Sequence, residues 1–316
     1  MNKTAVVIPT YNVEPWVVQC IESVKAQDFD GLECIVVDDS STDGTFDLAR
    51  EAIAGDSRFR IVKQKHSGLS AARNLGLDLT DSELVMYVDS DDYILPGFVQ
   101  SAVSFLEENG LQMAFFNGDA VNSGNDPHIF HGEQCYIHRC LEYGIGSGQD
   151  MFCRMMERSA YVFAVFLQII RRDCIRHRFY DGILAQDKLY TTQNLLHLDR
   201  VGYLPDVLYI KRSRQGSAVS SKRGMHFLYS RTRFVLEMLK YIEEYGSRLS
   251  EETVYWLGMM LQKSWSGMVG IWQNMDCDEQ NKICALPPES RTLLQAALGS
   301  LWRSKKCLQL YTQKEQ

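Results

Sequence analysis

The chain has 316 residues, 45% of them hydrophobic and 23% charged, which excludes a disordered or low-complexity polymer and suits one large domain or two modest ones. Lys and Arg number 33 against 40 Asp and Glu, and the formal net charge of -7 argues against a general nucleic-acid coat. The 9 cysteines form no C-x-x-C pair and are odd in number, a pattern of free thiols in a reducing compartment and not of a disulfide framework or zinc site. The apolar run at 5–9 is too short for a signal-peptide core. The longest apolar stretch, 161–170, is interrupted by Gln168 and falls well short of the ~20 residues of a membrane span. These features predict a cytoplasmic globular protein.

The first hundred residues alternate between two periodicities. Short apolar, β-branched runs at 5–8, 34–37, 60–62 and 84–88 have strand length. Helical patterns lie between them. Trp16, Val17, Cys20, Ile21 and Val24 share one face. Phe46, Leu48, Ala49, Ala52 and Ile53 follow a Ser41-Thr42-Asp43-Gly44 turn, and 69–77 makes a third helix. Strand and helix in alternation predict parallel βαβ units, whose sheets bind ligands beyond the carboxyl ends of their strands. The polar clusters of this chain sit there. A helix is expected over 95–106 with Pro96 in its first turn, then a strand at 113–116. Residues 117–160 read as a long loop region with short strands, 161–170 as core, and 171–199 as mixed helix and loop.

Composition shifts near 222. Phe227, Leu228, Phe234, Val235, Met238 and Ile242 fall at amphipathic helical spacing, and 254–272 holds three of the 5 tryptophans. Pro287-Pro288 breaks the chain before a last helix expected over 291–302. The tail reads as an all-helical extension.

Two acidic clusters follow strands. Asp89-Ser90-Asp91-Asp92 concentrates hard oxygen ligands that suit Mg²⁺ or Mn²⁺, although the same residues also form ordinary turns. Asp38-Asp39, before Ser40-Ser41-Thr42-Asp43-Gly44-Thr45, reads by itself as a cap and turn for the next helix.

Taken in order, Ile8-Pro9-Thr10-Tyr11-Asn12, Val36-Val37-Asp38-Asp39-Ser40-Ser41-Thr42-Asp43-Gly44-Thr45, Gly68-Leu69-Ser70-Ala71-Ala72-Arg73-Asn74-Leu75-Gly76 and Asp89-Ser90-Asp91-Asp92 resemble something specific. The chain is similar to the inverting family 2 glycosyltransferases of the GT-A fold, especially bacterial enzymes that build capsule, lipopolysaccharide and other surface glycans. The resemblance is close over about the first hundred residues and looser to about 222. It implies an α/β GT-A domain over 1–222, with a nucleotide-sugar half to about 116 and an acceptor half beyond it. A mostly parallel, Rossmann-like sheet is implied there, and 223–316 is the helical extension.

The resemblance also implies roles. Pro9 and Tyr11 would wall the nucleotide base, and Asp39 would accept a hydrogen bond from uracil, making the donor UDP-linked. Arg73 would lie near base and diphosphate, unless it simply pairs with a neighbouring carboxylate. Asp91 would contact the metal directly, with Asp89 and Ser90 beside ribose or water. His66 reads as a loop residue near this site. Gln186-Asp187 falls where related enzymes often carry Glu-Asp, which implies Asp187 as the catalytic base, with Asp181 its nearest rival. Arg212 and Arg214 lie in a stretch, 207–236, without a single acidic residue. Such a stretch suits a diphosphate leaving group or a phosphorylated lipid acceptor, and equally a solvated basic face.

The expected reaction is sugar transfer from a nucleotide sugar to a saccharide or lipid-linked acceptor, with Mn²⁺ or Mg²⁺ as cofactor and no nucleic-acid partner. Two rivals stay open: a sugar nucleotidyltransferase, and a non-catalytic nucleotide-sugar-binding member of the fold. Leu298, Leu301 and Trp302 precede Arg303, Lys305 and Lys306, so that 223–316 reads as a surface for homodimer assembly or for peripheral contact with the inner face of a membrane.

Overall fold

The computed structural model describes residues 3–122, 144–184, 186–213, 224–275 and 286–295. The chain divides into two compact units, one of residues 1–181 with 186–219 and one of 182–185 with 220–316.

The first unit opens with β1 (Thr4–Thr10), α1 (Val17–Lys25), β2 (Leu32–Asp38), α2 (Thr45–Ala52), β3 (Phe59–Lys63), α3 (Leu69–Asp78) and β4 (Leu84–Tyr87). Every residue of β1 is buried, as a strand covered on both faces requires. Helix α1 turns Val17, Cys20, Ile21 and Val24 inward at spacings of three and four. Helix α3 lies close against β1: a methyl built on Gly76 would enter the space held by Val7 Cγ1. Only glycine permits that approach.

Next come β5 (Tyr93–Ile94), α4 (Phe98–Glu108), β6 (Met113–Asn122), β7 (Gly144–Gly146), α5 (Gly148–Glu157), β8 (Gln168–Arg171), α6 (Gln186–Leu195) and β9 (Val201–Ser213). The expected helix start at 95 is three residues early. Gly97 takes a left-handed φ of 82°, which excludes it from the helix, and the chain turns there before Phe98. Of the 117–160 region, 123–143 lies outside the described residues, while 148–157 is a helix with a Ser147/Asp150 capping box.

One nine-stranded sheet runs in the order β3-β2-β1-β4-β8-β6-β9-β5, with β7 on β9. The expected parallel character belongs to β3-β2-β1-β4, all paired in parallel. Beyond β4 the sheet is mixed: β8 is antiparallel to both neighbours, and β6 and β9 are parallel to each other. The β6–β9 register shifts near Asn117, whose amide donates to the Tyr203 hydroxyl at 2.7 Å and to the Pro205 carbonyl at 3.2 Å. That side chain thereby satisfies the Pro205 carbonyl, which has no ladder partner at the bulge.

In the second unit, α7 (Met225–Tyr245) and α8 (Glu251–Gln273) are the long helices. Leu228, Phe234, Val235 and Met238 on α7, and Leu257, Met260, Met268 and Val269 on α8, are buried. Ser250 caps α8 by accepting from the Thr253 amide at 3.1 Å. Among the described residues no helix is long and apolar enough to cross a membrane.

Candidate active site

The carboxyl ends of β1, β2 and β4 bring together Tyr11, Asp39 and the run Asp89–Asp92, separated in sequence but adjacent in the sheet. Two clusters form there.

The first surrounds Asp39, which is 3% exposed. Its carboxylate accepts from Gln64 Nε2 at 2.7 Å, from the Ser67 amide at 2.7 Å and from the Gly68 amide at 2.8 Å. His66 Nδ1 lies 2.9 Å from Asp39 Oδ2 and 3.1 Å from the Asp39 carbonyl oxygen. The imidazole stacks on Tyr11, with ring centroids 4.5 Å apart and planes 29° from parallel. Asp39 thus fixes the loop that leads into α3. Pro9 is buried within β1, opposite Val37, so of the two wall residues only Tyr11 reaches the surface.

The second cluster is built around Arg73, a guanidinium that is 1% exposed. Nη2 donates to Asp89 Oδ1 at 2.6 Å and Nη1 to Asp187 Oδ1. The reading of Arg73 as a partner of neighbouring carboxylates is therefore what the side chain does, and its two amino groups are held by Asp89 and Asp187. The guanidinium lies over the Phe179 ring at 5.3 Å, and Phe179 stacks on Tyr190 at 3.9 Å with Tyr87 edge-on. Asn74 and Asn194 clamp the backbone beside it. Asn74 donates to the Phe179 carbonyl and accepts its amide, and Asn194 accepts the Arg176 and His177 amides. Asp187, in the first turn of α6, is thereby fixed opposite the loop after β4. Asp181, by contrast, is exposed.

The electrostatics follow from this geometry. Burial opposes the charge of Arg73, but Asp187 and Asp89 outweigh it and hold its pKa above the ordinary value. Burial pushes Asp89 up, and Arg73 together with Lys211 more than compensates, leaving its carboxyl below the usual range. Asp187 comes out raised: burial, with Asp89 nearby, prevails over Arg73. Asp92 is pushed up to about 7 by burial, with Lys211 opposing and the charges of Asp91 and Asp89 adding to it.

Asp89, Asp91 and Asp92 bring one carboxylate oxygen each within 4.8 Å of one another. This all-carboxylate donor set has the chemistry of a hard divalent cation. The oxygens of Asp92 are already engaged, Oδ2 with the Tyr209 hydroxyl at 2.7 Å and Lys211 Nζ at 3.4 Å, and Oδ1 with the Arg212 amide at 2.7 Å. Asp89 is engaged as well, through Oδ1 on Arg73, but Asp89 and Asp91 are less buried than Asp92, whose carboxylate is fully enclosed. Ser90 between them is 5% exposed.

Arg212 meets the cluster through its backbone. Its buried side chain lies between the Trp16 and Tyr93 rings, at 4.8 and 5.0 Å, with Nη2 on Gln19 Oε1. Arg214 lies outside the described residues. From β9 the basic side chain that reaches the carboxylates is Lys211, 4.0 Å from Asp89 Oδ2 and packed over Phe166. Strand alternation, which puts Tyr209 and Lys211 on one face of β9, was the available signal. Sequence reasoning passed over Gln64, since nothing in its type or spacing marks it as a partner of Asp39.

A mixed α/β sheet with its acidic clusters beyond the parallel strands, followed by a helical region, is the architecture of the GT-A glycosyltransferases. Residues 5–162 match the family described as glycosyl transferase family 2, and the chain belongs to that family. It is 28% identical over 230 residues to the glycosyltransferase GlyA of Streptococcus pneumoniae, an alignment spanning 72% of this chain but only 33% of GlyA. Among solved structures, residues 1–349 of Staphylococcus aureus TarS in complex with UDP-GlcNAc superpose with a TM-score of 0.70 at 22% identity, covering 94% of this chain and 87% of that one. The mannosyltransferase PcManGT of Pyrobaculum calidifontis, solved with GDP-Man and Mn²⁺, superposes with a TM-score of 0.52 at 17% identity, covering 96% and 88%.

Proposed function

We propose that the chain transfers a sugar from a nucleotide sugar, UDP-linked, to an acceptor hydroxyl with inversion, in the synthesis of a cell-surface glycan. The observation that carries this reading is Arg73, which joins Asp187 to Asp89 across the carboxyl edge of the sheet. An inverting displacement needs a proton acceptor on one side of the sugar carbon and charge neutralisation of the departing diphosphate on the other. Asp187 and the acidic run after β4 are two groups of the required kinds, held at a fixed separation.

Asp187 acts as general base. Its raised pKa makes it a stronger proton acceptor than an ordinary aspartate, and its salt bridge to Arg73 keeps it ionised and oriented. Asp91 with Asp89 would hold Mn²⁺ or Mg²⁺, which would supply positive charge toward the leaving diphosphate. Tyr11 and Asp39 hold the base, and Ser90 lies beside the ribose. Lys211 adds a positive charge next to the carboxylates. A single carboxylate base suffices because a nucleoside diphosphate departs without a general acid, whereas the alcohol leaving group of glycoside hydrolysis needs a second carboxyl to protonate it. The acceptor is a saccharide or a lipid-linked saccharide, and residues 1–222 are the catalytic domain.

The reading is tested by a panel of UDP- and GDP-sugars, screened for release of nucleoside diphosphate with Mn²⁺ and with EDTA. Release from a UDP-sugar that EDTA abolishes is the expected result. No release from any donor under either condition would leave a binding module in place of an enzyme.

A further inference from the structure

Asp39 is crowded in an informative way. A carboxylate offers about four lone-pair positions. The Gln64 side chain and the Ser67 and Gly68 amides fill three of them from inside the loop. His66 Nδ1, 2.9 Å from Oδ2, stands against the remaining one. A ligand N–H that is to reach this carboxylate must therefore displace a group of the protein. Two of the three other donors are backbone amides, and the third, Gln64, belongs to a half-buried residue whose carbonyl also accepts from Ser40 Oγ. The His66 side chain is 58% exposed, and among the described contacts only Asp39 and the Tyr11 ring engage it. It is the movable one.

The imidazole is also a planar, nitrogen-bearing aromatic ring, stacked on a tyrosine that is 43% exposed and aimed at a carboxylate. Those are the contacts a nucleobase would make in the same place. We propose that His66 is an internal stand-in for the base: its ring occupies the slot between Tyr11 and Asp39 in the free protein and leaves when a nucleotide enters. This rests on the reading of Tyr11 and Asp39 as the base site. The exchange swaps ring for ring on Tyr11 and one ring nitrogen for another beside Asp39, so both groups have a partner in the free and in the bound state. Since Asp39 only accepts, the slot favours bases with a ring N–H, such as uracil and guanine, over cytosine, whose corresponding ring nitrogen is itself an acceptor.

The test follows ring-proton contacts between Tyr11 and His66 by NMR in the full chain during titration with UDP and with CDP, and compares UDP affinity with that of His66→Ala. In the wild-type protein the contacts should vanish as UDP saturates, with CDP binding more weakly. The variant no longer has to release a hydrogen-bonded side chain, so it should bind UDP about two- to tenfold more tightly. Free imidazole should refill the slot in His66→Ala and compete with UDP, with no such effect on the wild-type protein. Persistence of the Tyr11–His66 contacts in the UDP-saturated protein would overturn the proposal, as would weaker UDP binding by the variant. A wild-type protein that binds none of UDP, GDP and CDP would instead defeat the base-site reading itself, before any variant is compared.

Discussion

At the scale of single residues, Arg73 decides most of the site's chemistry. A buried cation between two half-buried carboxylates is held by geometry more than by solvent, so removing it leaves both without their partner. Arg73→Met should cost about 3–5 kcal/mol in urea unfolding; a loss within experimental error would contradict the buried pairing. The pH dependence of transfer follows from the same contacts. A general base works unprotonated, and the Asp187 pKa lies above the ordinary carboxylate value because burial outweighs the attraction of Arg73. Activity should therefore fall, as pH is lowered, at a higher pH than an ordinary aspartate would give. In Arg73→Lys, where the bidentate bridge is weakened, that acid limb should move higher still. A pH–rate profile of kcat checks the sign, and a limb that moves lower would contradict it.

At the scale of elements, the close fit of α3 on β1 is the most exposed to a single change. Val7 is fully buried and β-branched, so it has little freedom to yield to a new methyl group at Gly76. Gly76→Ala should lose about 1–3 kcal/mol of stability by overpacking, and Val7→Ala in the same chain should recover part of it. Equal stability of Gly76→Ala and wild type in urea would show that α3 does not press on the strand. The elements that carry this fit were legible in the sequence. Strands β1, β2 and β4 carry continuous apolar runs, β3 a shorter one, and α1 to α3 show helical spacing between them, because their pattern is set by local burial. Strands β8 and β9 were not legible. Gln168 in β8 and Pro205-Asp206 in β9 break any simple pattern, and these segments become strands through pairing with β4 and β6, a tertiary effect. The site divides in the same way. The acidic runs stand out by composition, and Asp187 by its resemblance to a family motif. The burial of Arg73, the turning of Arg212 away into Trp16 and Tyr93, and the crowding of Asp39 depend on side chains arriving from distant elements.

At the scale of the whole molecule, the helical extension remains to be given a purpose. Leu239 on α7 and Val254, Tyr255 and Met259 on α8 are large apolar residues that are exposed, whereas the other large apolar side chains described on these helices are buried or half-buried. The apolar-plus-basic end at 298–306 lies outside the described residues. We expect the extension to serve assembly and not membrane contact, since one short basic end attaches only weakly to a bilayer. Flotation with anionic vesicles, comparing the full chain with one ending at Ser290, should leave both at the bottom of the gradient. Flotation of the full chain alone would reassign the end of the extension to the membrane.

In the proposed reaction Asp187 is the base beside a donor site built on Asp89 and Asp91. The most direct test of that role is turnover and donor affinity measured together for Asp187→Asn and Asp181→Asn. Asp187→Asn should lower turnover by ~10²–10⁴ while binding UDP-sugar as wild type does, and Asp181→Asn should behave as wild type in both. Full turnover in Asp187→Asn, with the loss appearing in Asp181→Asn instead, would contradict the account.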